Sequence, residues 1–281
     1  MAIEHVPTVG QHPLPAGSAD CHAHVIKTGL PLVPDRHSQP VAEAPVEAYL
    51  RTLDAYGVTY GLLTAPSFYG HNNDVLLDAL AKGRGRLRGT AIVEPRVSEQ
   101  TLASLKEAGV CGLRLNWVRR ASLPDIASPE YASLLAKAAN LGLHIEVYLE
   151  GEFLPPVLAV IQRSRARVVI DHFGHPPGGD GAADSDGFKA LLRSIDAGNT
   201  WVKLSAPFRL RGASAAMLAR ELITRRDGER VVWATDWPWV GFETDITYGQ
   251  CVAWLFEWAP DARVRKRILV DNPREAFGFG P

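Results

Sequence analysis

Short apolar runs with little polar alternation recur along the chain. They predict strands at Ser18–His24, Val58–Ala65, Leu87–Val93, Val110–Asn116, His144–Glu150, Val168–Phe173, Trp201–Ala206 and Val231–Asp236. Continuous apolar runs are what strands buried on both faces require. Between them lie stretches of helical period, among them Val46–Tyr56, Val75–Lys82, Glu99–Ala108, Tyr131–Asn140, Pro155–Arg163, Gly187–Ala197 and Ser214–Thr224. Gly57, Gly109 and Gly142 follow three of these, at the place where a helix ends in a left-handed residue. Strands alternating with helices, roughly eight of each, predict an α/β fold of the (β/α)8 TIM-like barrel type. The main competitor, a doubly wound open sheet, would carry a glycine-rich turn after its first strand. Here that strand ends in His22-Ala23-His24, with no GxGxxG behind it. The barrel is read as one domain over residues 18–281, with residues 1–17 as an N-terminal extension. Pro31 to Pro45 is irregular and is expected to fold over the barrel mouth. Gly178 to Gly187, rich in Gly, Asp and Ala, reads as a mobile loop.

Composition narrows the class. The chain has 281 residues, 46% of them hydrophobic, enough for a large core. Thirty Lys and Arg balance 31 Asp and Glu, for a net charge of −1, which speaks against a general polyanion-binding surface. No apolar run approaches the ~20 residues of a membrane span, and the first residues lack the basic start and apolar stretch of a signal peptide. Cys21, Cys111 and Cys251 are far apart and odd in number, so neither a disulfide framework nor a zinc knuckle is expected. These features predict a soluble cytoplasmic protein, an enzyme of a kind they do not specify, with no nucleic-acid or membrane partner; its expected partner is a small-molecule substrate. Assembly into a homo-oligomer stays open.

The chemistry is sought at the C-terminal strand ends, where barrels of this kind keep their sites. His22 and His24 are two apart and share a face of the first strand. Strand six ends abruptly in Asp171-His172, which point to opposite sides; which of them faces inward depends on the pleat. Strand eight ends in Asp236, followed by Trp237-Pro238. A carboxylate where an apolar strand stops is costly unless it is paired or at work. His22, His24, His172 and Asp236 therefore converge on one mouth. Such a set can hold a divalent metal. It can also act without one, with Asp236 as base toward water and imidazoles polarising a carbonyl. Arg114 ends an otherwise apolar strand with Asn116 on its face, and a guanidinium there suits a carboxylate. Tyr148 shares parity with Glu146 and Glu150. Lys203 and Ser205 share a face of strand seven, with a structural salt bridge as the plain reading of the lysine.

The motifs DCHAHV, GLRLNWVRR, VVIDHFGHP, WVKLSAPFRL and VVWATDWP, in this order, resemble those of the amidohydrolase superfamily. The likeness is to its branch containing 2-pyrone-4,6-dicarboxylate lactonase and sugar lactonases, and it runs from about Ser18 to the C-terminal NPREAFGFG. The resemblance implies a distorted (β/α)8 barrel that hydrolyses a lactone without a divalent metal. His22, His24 and His172 would polarise the carbonyl, and Asp236 would activate water. Arg114, Arg120, Arg209 and Tyr148 match residues that hold the substrate's carboxylates. Two positions depart from the pattern. A tyrosine of the first loop is replaced near Leu32, and an arginine after the strand-six histidine is His175, which is then a candidate substrate contact. These changes argue for a different carboxylated lactone or a sugar lactone. No cofactor is expected. The alternative is a single divalent metal such as zinc on His22, His24 and Asp236, with His172 or Glu94 in reserve. Two rival functions remain: a zinc-dependent hydrolase or nonoxidative decarboxylase of the same superfamily, and a catalytically silent binding protein for small acids. The intact four-residue set speaks against the second, since a pure binder has no need of it.

Overall fold

The computed structural model describes residues 13–280. Eight strands lie side by side in chain order, all parallel: β1 (Ala19–Ala23), β2 (Tyr60–Thr64), β3 (Leu87–Ala91), β4 (Val110–Asn116), β5 (His144–Tyr148), β6 (Val168–Ile170), β7 (Thr200–Leu204) and β8 (Val231–Trp233). The barrel is nearly closed where the chain beyond β8 meets β1. The Asp236 N–H donates to the His22 carbonyl at 2.9 Å, and the His24 N–H donates to the Trp237 carbonyl at 2.7 Å. Eight helices alternate with the strands: α1 (Val46–Ala55), α2 (Asp74–Lys82), α3 (Glu99–Glu107), α4 (Pro129–Leu141), α5 (Leu154–Arg163), α6 (Asp186–Asp196), α7 (Ala215–Thr224) and α8 (Tyr248–Trp258). Local signals set their bounds. Ser98, Ser185 and Ser214 each accept a backbone N–H three residues on, at the starts of α3, α6 and α7. Along α6, Phe188, Leu191, Leu192 and Ile195 recur on one face, and all four are buried. Of the N-terminal extension, residues 1–12 lie outside the described residues. Among the described residues, no helix is long and apolar enough to cross a membrane.

The barrel interior is layered. At its lower end Cys21, Leu62, Val169, Trp201 and Val232 pack with Phe277 and Phe279 from the C-terminal segment. Above them the inward side chains turn polar. β1 makes the change with a bulge: Asp20 pairs with Gly61, but Ala23 pairs with Leu63, so Cys21 and His22 stand opposite Leu62 alone and β1 carries one extra residue. Asp20 accordingly does not share the face of His22. It accepts the N–H and hydroxyl of Thr235 at 2.9 and 2.6 Å and the hydroxyl of Tyr248, on α8, at 3.3 Å.

Strands β6 and β8 stop earlier than their apolar runs predict. His172, Phe173 and His175 have φ of 47, 57 and 42°, and Asp236 has φ of 64°. Left-handed backbone cannot continue a strand, and such conformations at non-glycine residues collect at functional sites. The segment from Gly178 to Gly187 is not the loose loop its composition suggests. A Cβ on Gly187 would sit 1.8 Å from the Gly151 carbonyl oxygen, and one on Gly178 would sit 2.3 Å from that of Arg211. The glycines let the segment pack backbone to backbone, with Ala182 buried. The segment from Pro31 to Pro45 does reach the mouth: Val33 N–H donates to the Phe68 carbonyl at 2.9 Å, and His37 Nε2 meets Ser67 Oγ at 3.1 Å.

Candidate active site

His22 on β1, His24 just beyond it, His172 after β6 and Asp236 after β8 meet at the C-terminal end of the barrel. Asp236 Oδ1 lies 3.4 Å from His24 Nε2, 3.6 Å from His22 Nε2 and 4.0 Å from His172 Nε2. The Nε2 atoms of His22 and His24 are 3.2 Å apart. Each imidazole is fixed from behind. His24 Nδ1–H donates to the Thr64 carbonyl at 2.7 Å, and His172 Nδ1 meets Ser205 Oγ at 2.8 Å. The parity question at the end of β6 has a double answer. Asp171 faces inward as the strand ends, and the left-handed turn that follows swings His172 in as well, its ring centroid 4.9 Å from that of His22.

The other oxygen of Asp236, Oδ2, accepts from Nε of Arg209 at 2.8 Å and lies 2.8 Å from its Nη2 in an ion pair. Burial alone would push this carboxyl up, but Arg209 and the imidazoles hold it well below the usual carboxylate range. His22 is taken down to about 4, first by burial and then by Lys203. His172 is held well below the ordinary histidine value, again chiefly by burial. At neutral pH the site therefore presents an ionised Asp236 with neutral His22 and His172 around it.

One layer beneath lies a fully buried ionic network. Arg114 Nε is 3.2 Å from Glu146 Oε1, and Arg114 Nη2 donates to Asp171 Oδ2 at 2.9 Å. Lys203 Nζ donates to Glu146 Oε2 at 2.6 Å and sits 3.0 Å from Asp171 Oδ1. Two cations and two carboxylates balance, as charges inside a barrel must. Arg114 and Glu146 are direct neighbours in the register of β4 and β5.

A pocket of about 40 Å³ opens onto this floor. Arg114, Asn116, Tyr148 and Arg209 line it together with His24, His172 and Asp236, and the mouth segment adds His37 and Ser38. A larger groove of about 610 Å³, between the segment after β1 and helices α1 and α2, holds none of the converging histidines. His175 stands behind the lining, stacked on Tyr148 with centroids 5.4 Å apart. Arg120 is exposed and lies outside the lining residues. Glu94 is exposed too, paired with His71 at 3.5 Å rather than joined to the cluster. Glu150 accepts the Arg119 backbone N–H at 2.9 Å, tying down the turn after β4. Sequence reasoning did not assign His37, Ser38, Ser67 and Phe68 to the site, although the irregular run after β1 was the signal for the first two. It also did not join Glu146, Asp171 and Lys203 to Arg114. Charges of opposite sign inside apolar strands were the available hint.

The profile of the amidohydrolase family matches residues 19–279 of this chain. The chain belongs to the amidohydrolase family. Among curated amidohydrolase relatives, the 2-pyrone-4,6-dicarboxylate hydrolase of Comamonas testosteroni is 31% identical, covering 96% of this chain and 93% of its own. The 4-sulfomuconolactone hydrolase of Hydrogenophaga intermedia is 29% identical, over 94% of this chain and 90% of its own. An Acinetobacter baumannii protein solved with citric acid bound superposes with a TM-score of 0.88 at 29% identity, covering 94% of this chain and all of that one.

Proposed function

We propose that this amidohydrolase opens a carboxylated lactone ring by hydrolysis. The observation that carries the reading is one carboxylate oxygen, Asp236 Oδ1, facing three imidazole Nε2 atoms within 4.0 Å at the floor of a cation-lined pocket. Relatives named as hydrolases of a pyrone dicarboxylate and a sulfomuconolactone support it. Asp236 takes a proton from water, which attacks the lactone carbonyl. Imidazole N–H groups stabilise the tetrahedral oxyanion. The ring C–O bond then breaks, and the proton held by Asp236 passes to the departing ring oxygen. Arg209 stands where it can hold a substrate carboxylate while keeping Asp236 ionised. Tyr148 and Asn116 complete the wall, and His37 from the mouth segment faces the same space.

A metal fits the same residues. Ligand atoms of His22, His24 and Asp236 all lie within 4.8 Å of one another, as do those of His22, Asp171 and His172. A zinc held by the first set would supply Lewis-acid polarisation of a carbonyl or of water. In the reading proposed here Asp236 and the imidazoles suffice.

The test is turnover of protein prepared under chelation, assayed against 2-pyrone-4,6-dicarboxylate, 4-sulfomuconolactone and a neutral sugar lactone. Wild type is expected to open an anionic lactone and to keep its rate after prolonged chelation. Asp236→Asn, which preserves shape, is expected to be slower by about 10²–10⁴-fold or more. An Asn variant of undiminished rate would refute the role given to Asp236. Activity lost on chelation and restored by zinc would replace the metal-free mechanism with the metal one.

A further inference from the structure

The chain between β1 and α1 divides into a neck and a strap. The neck is firmly tied. Ile26 and Ala44 pair as an antiparallel bridge, each N–H donating to the other's carbonyl at 2.9 Å, and both residues are buried. Next to them the Tyr69 hydroxyl accepts the Lys27 N–H at 3.0 Å and donates to the Lys27 carbonyl at 2.7 Å. Glu43 Oε1 accepts the N–H and the hydroxyl of Thr28 at 3.2 and 2.9 Å. These bonds hold residues 26–28 to residues 43–44 and to the turn after β2.

Beyond the neck, residues 29–42 form the strap, and none of them is buried. It keeps its own shape. Arg36 Nη1 donates to the Val33 carbonyl at 3.1 Å and Nη2 to Gln39 Oε1 at 3.0 Å, and Pro31, Pro34 and Pro40 stiffen the backbone. It rests on the mouth through the Val33 N–H on the Phe68 carbonyl, through His37 on Ser67 and on the edge of Tyr148, and through the half-buried Leu30 and Leu32. Gly70 makes room for it, since a Cβ there would sit 2.7 Å from Val33 Cγ1. Gly29 is the joint between neck and strap. Its φ is 80°, and nothing lies within 4 Å of where a Cβ would be, so the chain can swing there freely.

The pocket supplies the reason to swing. His37 and Ser38 of the strap close over Arg114, Asn116, Arg209 and Asp236, and about 40 Å³ is left between them. That volume takes a few waters and no ring-sized molecule. With few buried contacts behind it, the strap sits at the low end of local stability, where moving elements are drawn from.

We propose that the strap is a gate: residues 29–42 lift from the mouth as one body about the neck, admit the substrate and close over it. The neck and the barrel stay in place. The open form is a minor state of the free protein, about 0.1–10% populated. The gate does not depend on which reaction the site performs, so it stands or falls apart from the lactone reading.

Relaxation-dispersion NMR of the full chain, labelled with nitrogen-15 and deuterated, tests the motion. The strap amides are expected to share one exchange process on the μs–ms timescale, with Ile26, Lys27 and Ala44 showing none. Val33→Ala removes the side chain seated over Gly70 and is expected to raise the open population about 3–10-fold. Entry is read with Asn116→Cys, whose position lies beneath the strap, as the rate of reaction with a methanethiosulfonate reagent above that of the native cysteines. Adding Val33→Ala is expected to speed this reaction by the same factor. Strap amides without dispersion, or with rates that differ from residue to residue or run on through the neck, overturn the moving body. Equal labelling rates with and without Val33→Ala overturn entry beneath the strap. Should the cysteine variant not fold, the dispersion of wild type and Val33→Ala decides the matter alone.

Discussion

Arg114 gives its guanidinium to the protein. It pairs with Glu146 and Asp171 and donates to the Ala65 carbonyl at 3.2 Å, all out of solvent. Its place at the end of an apolar strand reads, from the sequence, as a hand held out to a substrate carboxylate. What the sequence of β4 does not contain is the level at which charges from β5, β6 and β7 arrive beside it. That level is set by the register between strands. Arg114→Met is therefore expected to destabilise the fold strongly, because it strands buried negative charge; losing one partner of a buried pair costs about 3–5 kcal/mol. Urea unfolding measures this. A variant of wild-type stability with only a raised KM would return Arg114 to substrate binding alone. The four converging residues were legible for the opposite reason: His172 and Asp236 follow apolar runs, His22 and His24 share a face at the end of the first strand, and the barrel brings strand ends together whatever their sequence separation.

Among the elements, the helices follow their caps and stripes to within a residue or two, since those signals are local. The strand ends were less legible. The bulge in β1 and the left-handed turns after β6 and β8 each aim a site residue: His22, His172 and Asp236. The segment from Pro31 to Pro45 acts as a cover. The pocket beneath it, about 40 Å³, has room for a few waters but not for the carboxylated lactone proposed above, so that molecule would have to move the cover or the side chains under it. One latch is His37 Nε2 on Ser67 Oγ. Ser67→Ala is expected to raise hydrogen exchange in residues 33–38 by about 2–10-fold, the worth of one hydrogen bond. Unchanged exchange there would mean that the contact with Phe68 alone holds the cover.

The whole molecule carries several histidines in positions that resist protonation. Burial, ahead of nearby arginines, lowers His37 and His175 from the ordinary 6.5 to about 4, and burial lowers His144 as well. Between 6.5 and about 4 the unfolded chain binds protons at these sites and the folded chain does not, so stability falls as pH falls through that window. Asp20 works the other way: burial raises it from 3.8 to about 6, so its folded form binds a proton first as pH falls. One such group stands against five histidines, His22 and His172 of the site included. The melting temperature is expected to drop from pH about 7 to about 4.5. A flat or rising trend would mean that these histidines are not held neutral.

When water opens a lactone at its carbonyl, the oxygen of that water stays in the acid that is released. The enzyme, supplied with an anionic lactone in oxygen-18 water, is expected to release a ring-opened acid carrying one labelled oxygen in the new carboxyl group, read by mass spectrometry, with Asp236→Asn forming it more slowly by about 10²–10⁴-fold or more. An unlabelled isomer of the starting lactone, or a decarboxylated product, would contradict hydrolysis.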